Sequence, residues 1–308
     1  MSRRNMVRLA LLATIWGSSF LLIKFAIEGV SPAQLVLGRL FAGSVVLLLI
    51  VTVSGKALPR DRVVWGHLFV MGVVANIVPF FLFGWGELRV TSGMAGILNG
   101  TTPLFTLVAA LLALREERLS PARVGGLLLG FVGVVVVVGP WNGDGDANAL
   151  SGQIACLAAA ACYGFGFVYA RRFLSHRQLP PLSLSAAQLS TATVILALSA
   201  PLTMRTPMEL TLQVVASVLV LGAVGTGLAY LLFYRLINDV GATSASLVTY
   251  LIPIVAVFLG VLVQSDPLTW NIFVGAGIVV VAAALAEGRI GPQPVTETPA
   301  IPVEQEAV

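Results

Sequence analysis

Apolar stretches of about 20 residues recur along this chain, and a short polar segment separates each one from the next. A helix of about that length crosses the hydrocarbon core of a bilayer. None of the polar segments is long enough to hold a soluble domain. We therefore predict an all-α integral membrane protein with ten transmembrane helices. Their predicted bounds are 7–27, 33–53, 64–86, 91–114, 124–140, 151–170, 183–203, 211–234, 243–263 and 270–287.

The low charge content of the chain excludes most classes of soluble protein. Charged residues make up 10% of the sequence and hydrophobic residues 57%, whereas an average soluble domain carries about 25% charged residues. The net charge of +4 comes from dispersed basic residues, so no nucleic-acid partner is expected. There is no Walker loop and no HExxH motif. We therefore predict no enzyme activity, no cofactor and no metal site.

The distribution of Lys and Arg predicts the side of the membrane on which each terminus lies. With the N-terminus inside, only Arg89 and Arg205 fall at the outer face, and fourteen of the 18 basic residues fall at cytoplasmic ends. Short cytoplasmic loops are enriched in these residues. We predict that both termini are cytoplasmic, and that the proline-rich segment 291–308 is a disordered tail.

The two halves of the chain resemble each other and predict a first repeat at 1–148 and a second at 149–290. Each half has five predicted spans, so the second copy must enter the membrane upside down. Inverted repeats are typical of secondary transporters, whose two copies exchange conformations around a midplane site. Trp16–Phe20 corresponds to Tyr163–Phe167 in this alignment. Other matching pairs, at an offset of 150 or 149, are Leu82 and Leu232, Phe83 and Phe233, Ala95 and Ala245, Pro103 and Pro253, and Gly126 and Gly275.

Four segments of the sequence resemble the EamA family of the drug/metabolite transporter superfamily. They are WGSSF at 16–20 followed by Lys24, SPAQLVLGRLFAG at 31–43, ALREERLSPARVGG at 113–126, and LGVLVQSDPLTW at 259–270. The resemblance covers residues 6–287, and within the family it is nearest to the YddG-type amino-acid exporters. It implies ten helices, cytoplasmic termini and export of small metabolites through a central cavity, and we expect the protein to lie in a bacterial inner membrane. The Gly-Glu pair that the family has after the ninth span is Ser265-Asp266 here.

Ionisable residues within the spans are the first candidates for function because a charge is costly in lipid. Arg39 lies about two turns inside the second span, and we expect it to bind a substrate carboxylate. Lys24 and Glu87, near the outer ends of the first and third spans, are predicted to form a gate. The gate would close through a Lys24–Glu87 or an Arg39–Glu87 pair. The alternative is that both basic side chains reach the interface or bond helix-terminal carbonyls.

Two spans that we predict to be broken by proline give the second set of candidates. Asn99–Pro103 lies in the middle of the fourth span and Thr249–Pro253 in the ninth. Proline frees a backbone carbonyl, which in a membrane must be packed or face a polar cavity. The alternative is that each proline makes a kink that serves packing alone. Aromatic residues within the spans are also candidates for the cavity, and the alternative for each of them is a place in the core or against lipid. The predicted substrate-binding residues are Trp16, Ser19, Arg39, Asn76, Phe80, Phe83, Asn99, Thr101, Pro103, Tyr163, Tyr230, Thr249, Tyr250 and Pro253.

Together these features predict a secondary transporter that exports amino acids or similar small metabolites by alternating access. Its expected partners are a small-molecule substrate and the lipid bilayer, and a monomer is expected, with a dimer as the alternative. A transporter of another metabolite or drug class with the same fold is the first rival prediction. A channel-like or lipid-scrambling protein is the second, and a non-transporting receptor or hydrolase is the third.

Overall fold

A computed structural model describes residues 2–114, 120–139, 147–177, 179–241, 245, 247–267 and 269–286 of the protein. Every regular element in these residues is a helix, as the sequence predicts. We number the helices so that a helix interrupted by a turn keeps one label. They are α1 Arg3–Ala26, α2 Pro32–Val53, α3 Arg62–Glu87, α4 Ser92–Ala113, α5 Pro121–Val138, α6 Ala147–Phe173, α7 Pro181–Thr203, α8 Leu212–Val240, α9 Val248–Gln264 and α10 Trp270–Ala286.

The first eight of these helices are long and apolar enough to cross a membrane, whereas α9 and α10 have 17 residues each. Many large apolar side chains point outward along them, such as Phe41, Leu112 and Leu198. A soluble protein does not expose apolar surface on this scale. The chain is therefore a multi-pass membrane protein, and the count of ten spans stays a prediction. The predicted tail 291–308 and residues 243, 244 and 246 of the predicted ninth span lie outside the described residues.

Side-chain caps fix where several helices begin at the membrane surface. Ser31 and Gln34 form a capping box at the start of α2, directly before Pro32. Thr91 caps α4 and Thr211 caps α8 in the same way, through hydroxyls that accept backbone N–H groups. Such caps satisfy donors that a helix leaves unpaired at its N-terminus. They set the depth at which side chains further along each helix enter the membrane.

Glycines allow α5 and α10 to pack closely against each other. A Cβ on Gly126 would lie 2.6 Å from the Ala286 nitrogen, and one on Gly275 would lie 2.7 Å from the Val137 nitrogen. Small residues at such contacts let two helix backbones approach in a membrane. These glycines therefore serve packing within one chain. Elsewhere α1 packs on α9, α2 on α7, and α6 on both α3 and α4.

Two helices contain a π-helical turn at corresponding positions. The turn in α3 is Val73–Ile77 and the turn in α8 is Ala223–Leu228, so their first residues are 150 positions apart. A glycine, Gly72 or Gly222, comes directly before each turn. Single π turns inside α-helices occur frequently at functional sites. The middle of α3 and the middle of α8 are therefore candidate locations for a functional site.

The two predicted proline breaks have different outcomes. In α4 the helix is interrupted between Asn99 and Thr102, as predicted. The break predicted for the ninth span is wrong, because α9 runs continuously from Val248 to Gln264 with Pro253 inside it. Pro253 lies in the second turn of α9. A proline there removes one hydrogen bond, and the rest of the helix is long enough to stay intact.

Candidate functional site

Arg39 is the centre of the candidate site. Its side chain is 8% exposed. Its Nε donates a hydrogen bond of 3.1 Å to the hydroxyl of Thr226, and its guanidinium carbon lies 3.8 Å from the centre of the Phe80 ring. Hydrogen bonding on one side and cation–π stacking on the other orient the guanidinium. In the described residues no carboxylate lies within ion-pair distance of Arg39.

The π turn of α8 places Thr226 in reach of Arg39. The Thr226 hydroxyl donates to the carbonyl of Leu221, five residues earlier, at 3.0 Å. The indole of Trp16, on α1, donates to the Gly225 carbonyl in the same turn at 3.1 Å. A π turn widens the helix and frees a carbonyl from the regular pattern. Side chains from α1 and α2 therefore meet at one short segment of α8.

The π turn of α3 holds Asn76 in an equivalent position. Asn76 is fully buried, and its Oδ1 accepts a 2.6 Å hydrogen bond from Nε2 of Gln188 on α7. Its Nδ2 makes no hydrogen bond of regular geometry in the described residues, but the phenol of Tyr230 on α8 is close enough to share one with this amide. Asn76 therefore belongs to a buried polar cluster contributed by α3, α7 and α8, and it is a candidate ligand-binding group.

Aromatic rings surround the polar groups at this site. The Tyr163 ring packs against Phe80 and Phe83 with centroids 6.4 and 6.0 Å apart, and Trp16 packs against Phe233 at 5.2 Å. The phenols of Tyr163 and Tyr230 interact electrostatically with Arg39, and so does the Glu87 carboxylate, which lies beyond ion-pair distance. Such rings offer an apolar surface with a polar edge. The predicted residues that the structure brings together here are Trp16, Arg39, Asn76, Phe80, Phe83, Tyr163 and Tyr230.

Ser19 is close to the same region but uses its hydroxyl within α1. That hydroxyl donates to the Ile15 carbonyl at 3.0 Å, and its oxygen would lie 3.3 Å from a Cβ on Gly225. The side chain is buried against the π turn of α8. Its small size permits the close approach of α1 and α8, and a role in binding stays a prediction.

The break in α4 and the proline of α9 form a second group. A Cβ on Gly100 would lie 2.9 Å from Cγ of Pro253, so the break packs directly on the proline ring. The hydroxyls of Thr101 and Thr102 donate to the carbonyls of Leu98 and Asn99. These bonds satisfy part of the interrupted backbone. Binding roles for Asn99, Thr101, Pro103, Thr249, Tyr250 and Pro253 stay predictions.

Neither side-chain pair predicted for the gate is formed. The Lys24 ammonium donates to the backbone carbonyls of Glu87 and Val90, at 2.5 and 2.9 Å. The last carbonyls of a helix lack partners and carry partial negative charge, so they attract the cation. Arg39 is engaged by Thr226 instead. The carboxylate of Glu87 is fully buried and has no hydrogen-bond partner in the described residues.

Asp266 connects the end of α9 to the start of α4 at the same end of the molecule. Its carboxylate accepts from the Gly93 N–H at 3.4 Å and from the Ser92 hydroxyl at 3.5 Å. A carboxylate at a helix N-terminus is stabilising. The Ser265-Asp266 departure from the family pattern therefore keeps a capping carboxylate at this position.

A surface groove in the described residues does not include Arg39 in its lining. It has a volume of about 550 Å³ and opens between α2 and α7, with a lining that includes Leu37, Phe41, Ala197 and Met204. Phe41 is one of the exposed apolar side chains of α2. The groove therefore belongs to the outer, lipid-facing surface.

Sequence reasoning missed Thr226 and Gln188. Thr226 is 150 residues after Asn76, and Gln188 is 149 residues after Arg39. Both offsets occur in the alignment of the two halves. The repeat therefore marks Thr226 and Gln188 as candidate residues, as the equivalents of Asn76 and Arg39, but it does not show which residue each of them contacts.

Both halves of the chain are similar to known transporters. The model of the EamA-like transporter family matches residues 5–139 and, separately, 150–287. The uncharacterized transporter YoaV of Bacillus subtilis is 27% identical over 263 residues, which cover 85% of this chain and 89% of that protein. An uncharacterized transporter of Archaeoglobus fulgidus is 28% identical over 279 residues, covering 90% and 96%.

Two further similarities concern location and fold. The uncharacterized inner membrane transporter YedA of Escherichia coli K12 is 25% identical over 274 residues, covering 88% of this chain and 86% of that protein. One solved crystal structure has a TM-score of 0.65 at 20% identity and covers 92% of this chain and 98% of the other. At that identity the likeness shows a shared fold.

Proposed function

This chain belongs to the EamA-like transporter family, and we propose that it exports amino acids or similar small metabolites by alternating access. Its relatives are named as transporters, and the finer assignment of substrate and mechanism is our proposal. The observation that carries it is the state of Arg39, a buried cation oriented by Thr226 and Phe80, with no carboxylate within ion-pair distance in the described residues. Burying a charge without such a pair is costly, and a substrate carboxylate would offset that cost.

We propose that the architecture is ten spans in two inverted repeats, with cytoplasmic termini and a place in the inner membrane. The separate family match in each half supports the repeat. So do the π turns, whose first residues Val73 and Ala223 are 150 positions apart. The inner-membrane relative in Escherichia coli supports the location.

Contacts at the two ends of α1 are candidates for the gates. At one end Lys24 bonds the carbonyls that close α3 and precede α4. At the other end Arg8 forms an ion pair with Asp239, in the last turn of α8. Alternating access would require each contact to open while the other stays closed. α1 would then move relative to α3 at one end and to α8 at the other.

Counterflow in proteoliposomes tests this function. Purified protein is reconstituted with each of the twenty amino acids inside, and uptake of the labelled tracer is followed. A carrier is expected to show saturable uptake that depends on internal substrate. Uptake that rises linearly and needs no internal substrate would indicate a channel instead. No counterflow for any amino acid or for a broad metabolite panel, from folded protein, would contradict the proposal.

A further inference from the structure

Two buried hydrogen bonds cross between the halves of the chain in the same way. Nε of Arg39, on α2, donates to the Thr226 hydroxyl in the π turn of α8. Nε2 of Gln188, on α7, donates to Oδ1 of Asn76 in the π turn of α3. Each donor is therefore on the second helix of one half, and each acceptor is on the third helix of the other half.

The positions of these four residues correspond as well as their contacts do. Arg39 is seven residues after Pro32, the first residue of α2, and Gln188 is seven residues after Pro181, the first residue of α7. The acceptors, Asn76 and Thr226, are 150 residues apart. Positions 39 and 188 are thus equivalent in depth and in partner.

The helix crossings that hold these bonds also correspond. A Cβ on Gly222 would lie 2.6 Å from the Arg39 carbonyl, so α2 and α8 touch just before the π turn. A Cβ on Gly72 would lie 3.3 Å from the backbone nitrogen of Ala192, where α7 and α3 touch just before the other turn. The two bonds are therefore set by the same local packing, and a side chain exchanged between positions 39 and 188 would find similar surroundings.

The two positions differ in one property, which is charge. The Arg39 guanidinium has five N–H donors and uses Nε on Thr226. Gln188 is neutral, and because its Nε2 bonds Asn76, its carbonyl oxygen is the end that can accept a hydrogen bond. The fully buried Asn76 beside it has an Nδ2 that makes no hydrogen bond of regular geometry in the described residues and lies next to the Tyr230 phenol. One end of the site is therefore cationic, and the other is a neutral end with a donor and an acceptor.

We propose that positions 39 and 188 are the two equivalent poles of one central site and set the charge of the substrate. Arg39 binds a single carboxylate, and the carbonyl oxygen of Gln188, which is held in place by Asn76, accepts a hydrogen bond from the ammonium group of the substrate. This inference rests on the proposed function, and it names the substrate class as small amino acids with one carboxylate. Dicarboxylates are disfavoured because the second carboxylate would face Gln188 without a cation.

The site has room for the change that tests this proposal. Arg39 stacks on Phe80, and Tyr230 is 150 residues after Phe80 and lies beside Asn76. An arginine placed at position 188 would therefore have an aromatic ring to stack on, as Arg39 has. Gln188 is partly exposed, so the longer side chain need not displace a packed core.

The proposal is tested by exchanging the side chains of positions 39 and 188. Four proteins are compared: the wild type, Arg39→Gln, Gln188→Arg, and the double exchange of both. Gln188→Leu is the matched control, because it removes the hydrogen bond to Asn76 without adding charge. Two quantities are measured for all twenty amino acids and for L-leucinamide: the rise in Tm of the purified protein and counterflow in proteoliposomes.

The expected pattern follows the number of cations in the site. In the wild type, amino acids with one carboxylate raise the Tm, while L-leucinamide and L-glutamate do so only at concentrations at least about tenfold higher. Arg39→Gln loses this preference. The double exchange regains it to within a few fold, and Gln188→Arg shifts preference toward L-glutamate and L-aspartate by about tenfold. Gln188→Leu weakens binding of all amino acids, because it removes the hydrogen-bonding group at that pole, but it adds no cation and keeps the preference for one carboxylate over two.

Three results would overturn the inference. The first is that no amino acid raises the Tm of the wild type. The second is that the double exchange folds but stays as unselective as Arg39→Gln. The third is that Gln188→Arg leaves the preference for one carboxylate unchanged. Binding that follows the predicted charge pattern without counterflow would leave the two poles established and would contradict transport instead. The two proposals therefore fail in different ways.

Discussion

The guanidinium of Arg39 is held by a hydroxyl on one side and by an aromatic face on the other. The sequence could identify Arg39 as a candidate because an ionisable residue inside a span is exceptional. It could not identify Thr226 as the partner, because that contact joins residues 187 positions apart and depends on a π turn. For Lys24 the structure shows the alternative prediction, since its ammonium bonds backbone carbonyls at the end of α3 and not the Glu87 carboxylate.

At the residue scale, Thr226→Val tests the orientation of Arg39. Valine keeps the shape of threonine and removes the hydroxyl that accepts from Nε. We expect KM for a carboxylate substrate to rise about tenfold, because a hydrogen bond to a charged group is lost, with a smaller change in kcat. Thr14→Val is the control, since that exposed hydroxyl bonds only the Ala10 carbonyl of its own helix. Equal KM values for both variants would remove Thr226 from the site.

At the element scale, the interruptions of the helices determine where the polar groups meet. The bounds of α2 and α3 were predicted to within two residues by hydropathy, because length and apolar content decide a membrane helix. The π turns were not predicted, since one extra residue in a helical turn leaves the hydropathy unchanged. The break in α4 was predicted from Pro103, but the same reasoning was wrong for Pro253, where the helix stays continuous.

The glycine before each π turn gives a prediction at this scale. Gly222→Ala would place a Cβ 2.5 Å from Cβ of Ala42 and 2.6 Å from the Arg39 carbonyl, where backbone atoms have to move. We expect a loss of about 1–3 kcal/mol in the free energy of unfolding, as in other overpacked sites, and a lower Tm in detergent. Gly277→Ala, on α10, has no atom within 4 Å of the new Cβ and should keep or raise the Tm. A Gly222→Ala protein as stable as Gly277→Ala would contradict the close crossing of α2 and α8.

At the scale of the whole molecule, the sequence predicted an all-helical membrane protein, and the structure and the family match confirm it. This success has a simple cause, since a chain with 10% charged residues cannot cover a soluble surface. Sequence matches such as Pro103 and Pro253 predict the repeat. They do not predict that Arg39 and Gln188 make equivalent contacts between the two halves, which the structure shows.

The proposed topology predicts the accessibility of single cysteines in intact cells. In a variant with Cys156→Ala and Cys162→Ala, a cysteine replacing Asp146 should react with an impermeant maleimide from outside. A cysteine replacing Arg177 should react only after the membrane is opened, because the excess of Lys and Arg places that end in the cytoplasm. The reverse pattern would contradict the orientation and place both termini outside.

The most direct test of a carboxylate site at Arg39 compares an acid with its amide as competitors for counterflow. Unlabelled substrate and its carboxamide are titrated against the labelled amino acid that gives the strongest counterflow. The wild type should be inhibited by the acid at a concentration about tenfold or more below the amide. Arg39→Lys should keep part of that ratio, and Arg39→Ala should reduce it to about one. An Arg39→Ala protein that weakens acid and amide equally, and so keeps the wild-type ratio, would contradict a carboxylate bound at Arg39.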